Sequence, residues 1–120
     1  MKPLALSIGK NYYRITYADA GMTMLGVEPL VYIGEATGEN GEPFHAFQDT
    51  VSYVRFGSRM APGAIDHEDV LVYFIPPSEA DVDVVDLAKV AEEAQACLER
   101  AVSSGWPVLP VLRDGWFAAT

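Results

Sequence analysis

Residues 83–104 read DVVDLAKVAEEAQACLERAVSS, and this stretch decides the fold class. Its apolar side chains recur at spacings of three and four, which is the period of an α-helix with one apolar face. They are Leu87, Val90, Ala91, Ala94, Cys97, Leu98, Ala101 and Val102. Charged and amide side chains fill the opposite face. We therefore predict a helix from about residue 83 to about residue 104 that packs its apolar face on a sheet.

Both ends of this predicted helix carry the expected signals. Asp81, Asp83 and Asp86 place negative charge at the helix N-terminus, where the backbone dipole is positive. Gly105 and Pro107 follow the last apolar position and favour termination, because glycine adopts the left-handed conformation and proline cannot continue a helix.

Most other segments alternate apolar and polar side chains or are continuously apolar, and so predict β-strands. These segments are residues 4–8, 12–17, 30–33, 44–48, 70–75 and 108–112. Gly9, Lys10 and Asn11 separate the first two, which predicts a hairpin. Asn40 and Gly41 predict another hairpin, because both residues tolerate positive φ.

Two of these strands also carry information on their place in the sheet. Residues 70–75 are continuously apolar, which predicts a central strand buried on both faces. Residues 108–112 contain Pro110, which lacks a backbone N–H and therefore predicts a strand at the edge of the sheet.

The order of the segments predicts an α+β fold. Hairpins come first and one long helix comes late, so we expect a mostly antiparallel sheet of five or six strands with this C-terminal-half helix packed on one face. Residues 50–56 fit either a strand or a short helix that Asp49 or Thr50 caps and Gly57 ends. No linker divides the chain, which predicts a single compact domain of residues 1–120.

Composition excludes several classes of protein. The 120 residues include 8 lysines and arginines against 17 aspartates and glutamates, a formal charge of −9, and half of the residues are apolar. Such apolar content excludes disorder, and so acidic a chain lacks the basic face that nucleic acid or anionic lipid requires. No signal-peptide core or membrane-crossing run is found, and Cys97 is the single cysteine. We therefore predict a cytoplasmic protein with neither nucleic acid nor membrane as a partner.

The reactive side chains do not form a known catalytic or metal motif. Residues 66–69, Asp-His-Glu-Asp, match neither the calcium loop nor the zinc spacings and predict a solvated loop. His45 predicts a partly buried, hydrogen-bonded histidine, and Cys97 falls on the apolar face of the helix, where a thiol is unreactive. We predict no cofactor, no metal and no catalytic residue, which favours a protein that is not an enzyme.

The negative charge is concentrated in one region. Residues 1–60 hold five basic and six acidic side chains, whereas residues 61–120 hold three and eleven. Between residues 66 and 86 there are seven acids and no lysine or arginine. Such a field steers a basic protein surface onto the chain, and tryptophan is enriched at interfaces. We therefore predict a partner-binding surface made of Asp66, Glu68, Asp69, Asp81, Asp83, Trp106 and Trp116.

A small acidic α+β domain without catalytic groups has the general profile of inhibitors and immunity-type antidotes that neutralise a basic partner protein. Two alternatives from other classes stay open. One is a small ligand-binding or enzymatic domain with a pocket between helix and sheet, in which His45 and His67 supply polar groups. The other is a structural homodimer, formed through the edge at Pro110 or through the C-terminal aromatic residues.

Overall fold

The computed structural model describes residues 5–105. The strands are β1 (Asn11–Tyr17), β2 (Leu25–Thr37), β3 (Pro43–Asp49), β4 (Val72–Ile75) and β5 (Val84–Val85), and the helices are α1 (Thr50–Phe56), α2 (Pro77–Asp83) and α3 (Leu87–Ser104). The strands form one antiparallel sheet in the order β4-β3-β2-β1-β5. The α+β prediction, with five strands and one long helix in the C-terminal half, is confirmed.

One face of the sheet carries the larger apolar cluster. It contains Tyr12, Leu30, Tyr32, Phe47 and Ile75 from four strands, Ala80 from α2 and Val84 from β5. The rings of Tyr12 and Phe47 meet edge to face, with their centroids 6.4 Å apart. Helix α2 therefore crosses this face on its way from β4 at one edge of the sheet to β5 at the other.

The opposite face carries a smaller cluster and the other two helices. Val31, Ile33 and Ala46 are buried there, with Tyr53 of α1 and Val72 packed against them. Asn11 pairs with Val31, so strand alternation places Tyr17 on this face as well. The Tyr17 hydroxyl donates to the carboxylate of Glu93 in α3 at 2.6 Å, which locates α3 over the β1 side of this face.

The hairpin predicted from Asn40 and Gly41 joins β2 to β3. The Gly38 N–H donates to the Glu42 carbonyl at 2.8 Å, and Gly41 has a φ of 79°. The register of the two strands shifts between Tyr32 and Gly34, and Gly34 has a φ of 136°, which a residue with a side chain rarely adopts. Glycine at this bulge keeps both flanking parts of β2 paired with β3.

Residues 50–56, which fit either a strand or a helix by sequence, form helix α1. The Asp49 carboxylate accepts the Ser52 N–H at 2.9 Å, as a helix N-cap does. Gly57 ends the helix with a φ of 78° and donates its N–H to the Tyr53 carbonyl at 2.8 Å. Local capping at both ends therefore outweighs the β-propensity of the valines and aromatic residues in between.

The prediction of a first strand over residues 4–8 is wrong for residues 5–8, and Leu4 lies outside the described residues. This part of the chain nevertheless runs beside β2. The Gly9 N–H donates to the Tyr32 carbonyl at 2.8 Å, and the Tyr32 N–H donates to the Lys10 carbonyl at 3.1 Å. Leu6 packs on the larger apolar cluster, which accounts for the apolar pattern without a strand.

The prediction of a buried central strand over residues 70–75 is also wrong. Strand β4 begins at Val72 and lies at an edge of the sheet. Leu71 and Phe74 are exposed, the latter by 57%. An apolar run indicates burial on both faces only when neighbouring strands and helices cover both, and here Phe74 is left uncovered on the face where Val72 packs against the smaller cluster.

The predicted long helix is shorter at its start than expected. Asp86 caps α3 by accepting the Lys89 N–H at 2.9 Å, so the helix begins at Leu87. Asp81 and Asp83 belong to the separate helix α2, and the prediction that they lie at the N-terminus of the long helix is wrong. The β-branched pair Val84–Val85 interrupts the helical pattern because it pairs with β1.

The apolar stripe of α3 is only partly buried. Cys97 and Ala101 are buried, whereas Leu87, Leu98 and Val102 are exposed. Within residues 5–105, no helix has the length and apolar character needed to cross a membrane. The predicted strand over residues 108–112 lies outside the described residues.

Candidate functional site

The acidic side chains predicted to bind a partner lie before and after the edge strand β4. Asp66, Glu68 and Asp69 belong to the loop that leads into this strand, and Asp81 and Asp83 belong to α2, which follows it. All five are exposed. Trp106 and Trp116, which were predicted as apolar anchors, lie outside the described residues.

The loop carboxylates have basic neighbours. The Arg59 guanidinium lies 3.7 Å from the Asp66 carboxylate, and the Arg55 guanidinium lies 4.0 Å from that of Asp69. Glu68 has no ion pair among residues 5–105. The two arginines therefore offset part of the negative charge of the loop. Exposed ion pairs with separations of 3.7–4.0 Å are nevertheless weak.

The two histidines lie in different parts of the fold, His45 on β3 and His67 in the loop before β4, and each contacts neighbouring side chains. The His67 ring stacks on Phe56 with centroids 4.7 Å apart, and its Nδ1 accepts the Asp69 N–H at 3.0 Å. His45 lies edge to face with Tyr32, whose hydroxyl is 3.3 Å from the His45 Nδ1. Burial, with the Glu35 carboxylate as a lesser cause, raises the pKa of Tyr32. Within residues 5–105, the contacts of each histidine involve different neighbours, Phe56 and Asp69 for His67 and Tyr32 for His45.

Helix α2 presents unpaired acids. Glu79, Asp81 and Asp83 are exposed, and none of them has an ion pair within the part of the chain that the structure describes. Val82 lies between the last two and is 77% exposed. Helix α2 thus combines negative charge with an uncovered apolar side chain, a combination that suits contact with another protein.

Three further acids, which the sequence argument did not include, lie on the β2–β3 hairpin. They are Glu35, Glu39 and Glu42, all exposed and without an ion pair among the described residues. Glu35 pairs with His45, and His45 pairs with Ile75, the last residue of β4. The hairpin therefore extends from the end of the sheet at which α2 begins. We call these three residues together with Glu79, Asp81 and Asp83 the acidic surface.

The backbone of β4 is open on its outer side. The Asp49 N–H donates to the Leu71 carbonyl at 3.1 Å, so the backbone groups of Leu71 face β3. In an antiparallel strand the backbone N–H and C=O groups of successive residues point to opposite sides. The backbone groups of Tyr73 and Ile75 therefore also face β3, whereas the backbone groups of Val72 and Phe74 face away from it. Among residues 5–105 no strand pairs with this outer edge.

The carboxylate of Asp49 ties this edge strand to α1. Its carboxylate accepts hydrogen bonds from the Ser52 N–H, the Ser52 hydroxyl and the Leu71 N–H, the last at 3.0 Å. Burial raises the pKa of Asp49, but these hydrogen bonds outweigh it and leave the pKa below its ordinary value. Gln48, which is fully buried, donates to Ser52 at 3.0 Å and completes the network.

A groove of about 790 Å³ lies between the β1–β2 loop and α3. Asp19 contributes to it, but its carboxylate already accepts the Thr23 hydroxyl at 2.7 Å and the Met24 N–H at 2.8 Å. The hydrogen bond from Thr23 is the main cause that lowers the pKa of Asp19. This acid organises the loop and is not free to bind a ligand.

Arg100, the basic residue of the same groove, is engaged in a similar way. Its guanidinium donates to the Met22 carbonyl at 2.9 Å and to the Tyr17 hydroxyl at 2.8 Å. Met22 has a φ of 56°, the left-handed conformation that is uncommon for a residue with a side chain. The hydrogen bond from Tyr17 lowers the pKa of Glu93 and raises that of Tyr17. The groove thus offers a ligand few charged groups that the fold does not already use.

The remaining chemistry-bearing groups do not form a site in the described part of the chain. Cys97 is a buried thiol on α3. Over residues 5–105, no three histidines, cysteines or acids are arranged to hold a metal ion. Comparisons of the chain with protein-family models, with curated proteins and with solved structures find no match.

Proposed function

We propose that this chain is a non-enzymatic, cytoplasmic protein-binding module that docks its acidic surface on a basic partner protein, as an inhibitor or immunity-type antidote. One observation carries the proposal. The six carboxylates of the acidic surface are exposed and have no ion pair among residues 5–105, while Arg14, Arg55, Arg59, Lys89 and Arg100 are all paired with other acids.

Glu79, Asp81 and Asp83 lie within five residues of one another on α2, so their like charges repel, and a basic partner relieves this repulsion when it binds. The same field accelerates encounter with a positively charged surface in a salt-dependent manner. Val82, exposed between two of the acids, supplies apolar contact area at the centre of the α2 portion. These features together support protein recognition over binding of a small molecule.

The test compares two variants that remove the same amount of charge. The first replaces the α2 acids (Glu79→Gln, Asp81→Asn and Asp83→Asn), and the matched control replaces the loop acids (Asp66→Asn, Glu68→Gln and Asp69→Asn). Proteins that bind the unmodified chain are captured from native lysate at about 50 mM and about 300 mM salt, since screening over this range shortens the Debye length. The association rate of the recovered basic protein is then measured for each variant.

We expect the α2 variant to slow association about tenfold at low salt and to flatten its salt dependence. The loop control should change the rate less, because two of its three acids already have arginine neighbours. Equal effects of the two variants would mean that net charge alone sets the association rate, and would show that the acidic surface is not the docking site. Recovery of no basic partner would overturn the proposal.

A further inference from the structure

The edge strand β4 has the features of a template for a further strand. Its outward backbone groups, those of Val72 and Phe74, have no strand partner among residues 5–105. We infer that the basic partner adds an extended segment to this outer edge, with apolar side chains at alternate positions and lysine or arginine at both flanks. This inference rests on the proposed function and specifies how the partner binds.

Side chains on β4 favour an apolar segment at the centre of the contact. Phe74 is 57% exposed and shares a face with Ala46, its neighbour on β3. An added strand would bring its own side chains within about 5 Å of those of β4 on the same face. An apolar side chain opposite Phe74 would therefore cover the ring that the sheet itself leaves in water.

Charge on both sides of β4 favours basic flanks. Glu68, which has no ion pair among residues 5–105, precedes the strand, and Glu79 follows it four residues after Ile75. A segment that lies along β4 in either direction meets negative charge at each end. Lysine or arginine at both flanks would complement this charge, whereas acidic flanks would be repelled.

The same charges argue against a second copy of this chain as the occupant. Two copies that pair through β4 about a two-fold axis are antiparallel, so the start of one strand lies against the end of the other. This arrangement brings Glu68 of one copy toward Glu79 of the other, and their like charges repel. At the opposite edge, β5 offers only two residues, too few to guide an added strand.

The test uses the full chain and a defined probe, a nine-residue peptide of alternating valine and threonine with a lysine–arginine pair at each end. Amide hydrogen exchange is measured with and without saturating peptide. We expect exchange of the Val72 and Phe74 amides to slow at least tenfold, because they become donors to the peptide. Tyr73 and Ile75 amides already face β3 and should change less.

Two variants at one position provide an independent readout. Phe74→Pro removes an outward N–H without touching the bonds to β3, and the matched control Phe74→Thr removes the ring but keeps the N–H. We expect the proline variant to bind the peptide at least tenfold more weakly than the threonine variant. A peptide with glutamates in place of the lysines and arginines should bind more weakly than the basic one to the unmodified chain.

The outcomes separate this inference from the proposed function. If the basic partner binds through the α2 acids while the Val72 and Phe74 amides exchange unchanged, strand addition is overturned and the proposed function stands. Absence of peptide binding, or equal affinity for the proline and threonine variants, also overturns strand addition. If neither partner nor peptide binds, both proposals fall.

Discussion

Replacing Asp49 by alanine should loosen the connection between α1 and the edge strand β4. The carboxylate caps α1 through the Ser52 N–H, accepts the Ser52 hydroxyl, and accepts the Leu71 N–H at 3.0 Å. Loss of a helix N-cap costs about 1 kcal/mol, and loss of a hydrogen bond to a charged group costs about 1.5–3 kcal/mol when buried. Because Leu71 is exposed, we take the lower end of the range for its hydrogen bond, about 1.5 kcal/mol. Together with the loss of the cap, we expect Asp49→Ala to reduce the free energy of unfolding by about 2–3 kcal/mol.

Asp49→Asn is the matched control, since asparagine caps helices as well as aspartate does. The asparagine side chain has one carbonyl oxygen, which can still accept the Ser52 N–H of the cap. It lacks the second carboxylate oxygen that accepts the Leu71 N–H in the unmodified protein. We expect a loss of about 1 kcal/mol for this variant. Urea unfolding followed by circular dichroism measures both values, and the dependence of the free energy on urea should keep the same slope in the two variants.

The pH dependence provides a second check on the same residue. Because the folded state holds the pKa of Asp49 below its ordinary value, its carboxylate stabilises the fold above the unfolded pKa of about 4. This stabilisation is lost as the pH falls through the lowered pKa. Asp49→Asn should therefore flatten part of the decline in stability below about pH 4. A loss under 1 kcal/mol in Asp49→Ala, or an unchanged acid decline in Asp49→Asn, would refute the reasoning.

Two further predictions concern the loops that shape the sheet. Gly34→Ala should destabilise the fold more than Gly41→Ala in urea unfolding, because its φ of 136° is less accessible to alanine than the 79° of Gly41. Equal losses would argue against strain at the bulge. Arg100→Met should speed hydrogen exchange of the Ala18 amide, which bonds to the Met24 carbonyl, because the Met22 carbonyl loses its donor. Unchanged exchange would show that Asp19 alone holds this loop.

Local signals in the sequence were sufficient for several elements. Gly41 specifies the turn of the β2–β3 hairpin because its φ of 79° is accessible to few residues other than glycine. The centre of α3 follows from its apolar period, and Gly105 ends it in the left-handed conformation with a φ of 74°. These features depend on residues close in the chain, which is why sequence patterns find them.

The sequence patterns did not predict elements that depend on pairing with residues far away along the chain. Strand β5 has two residues and exists because Val84 and Val85 pair with Arg14 and Tyr13. The apolar run at β4 does not reveal whether a strand lies beyond it. A pattern of hydrophobicity describes each segment by itself, whereas edge and centre are properties of the whole sheet.

The sequence predicts only part of the candidate site, again because the other part depends on contacts between residues far apart in the chain. Counting charge along the chain found Asp81 and Asp83 but missed the hairpin acids, which strand register places at the end of the sheet where α2 begins. Glu35 belongs to the acidic surface because it is level with His45 and Ile75. The arginines beside Asp66 and Asp69 come from α1 and the chain that follows it, which no spacing within residues 66–69 indicates.

The inequality of the two sheet edges has a consequence for stoichiometry. A strand added at β4 finds four residues to pair with, whereas β5 offers only Val84 and Val85 between two helices. A sheet that accepts a neighbour on one side only cannot pass the addition on to the next molecule. If the inferred segment adds at β4, pairing through this strand stops at one bound segment per chain, whereas a sheet that added strands at both edges would grow into fibres.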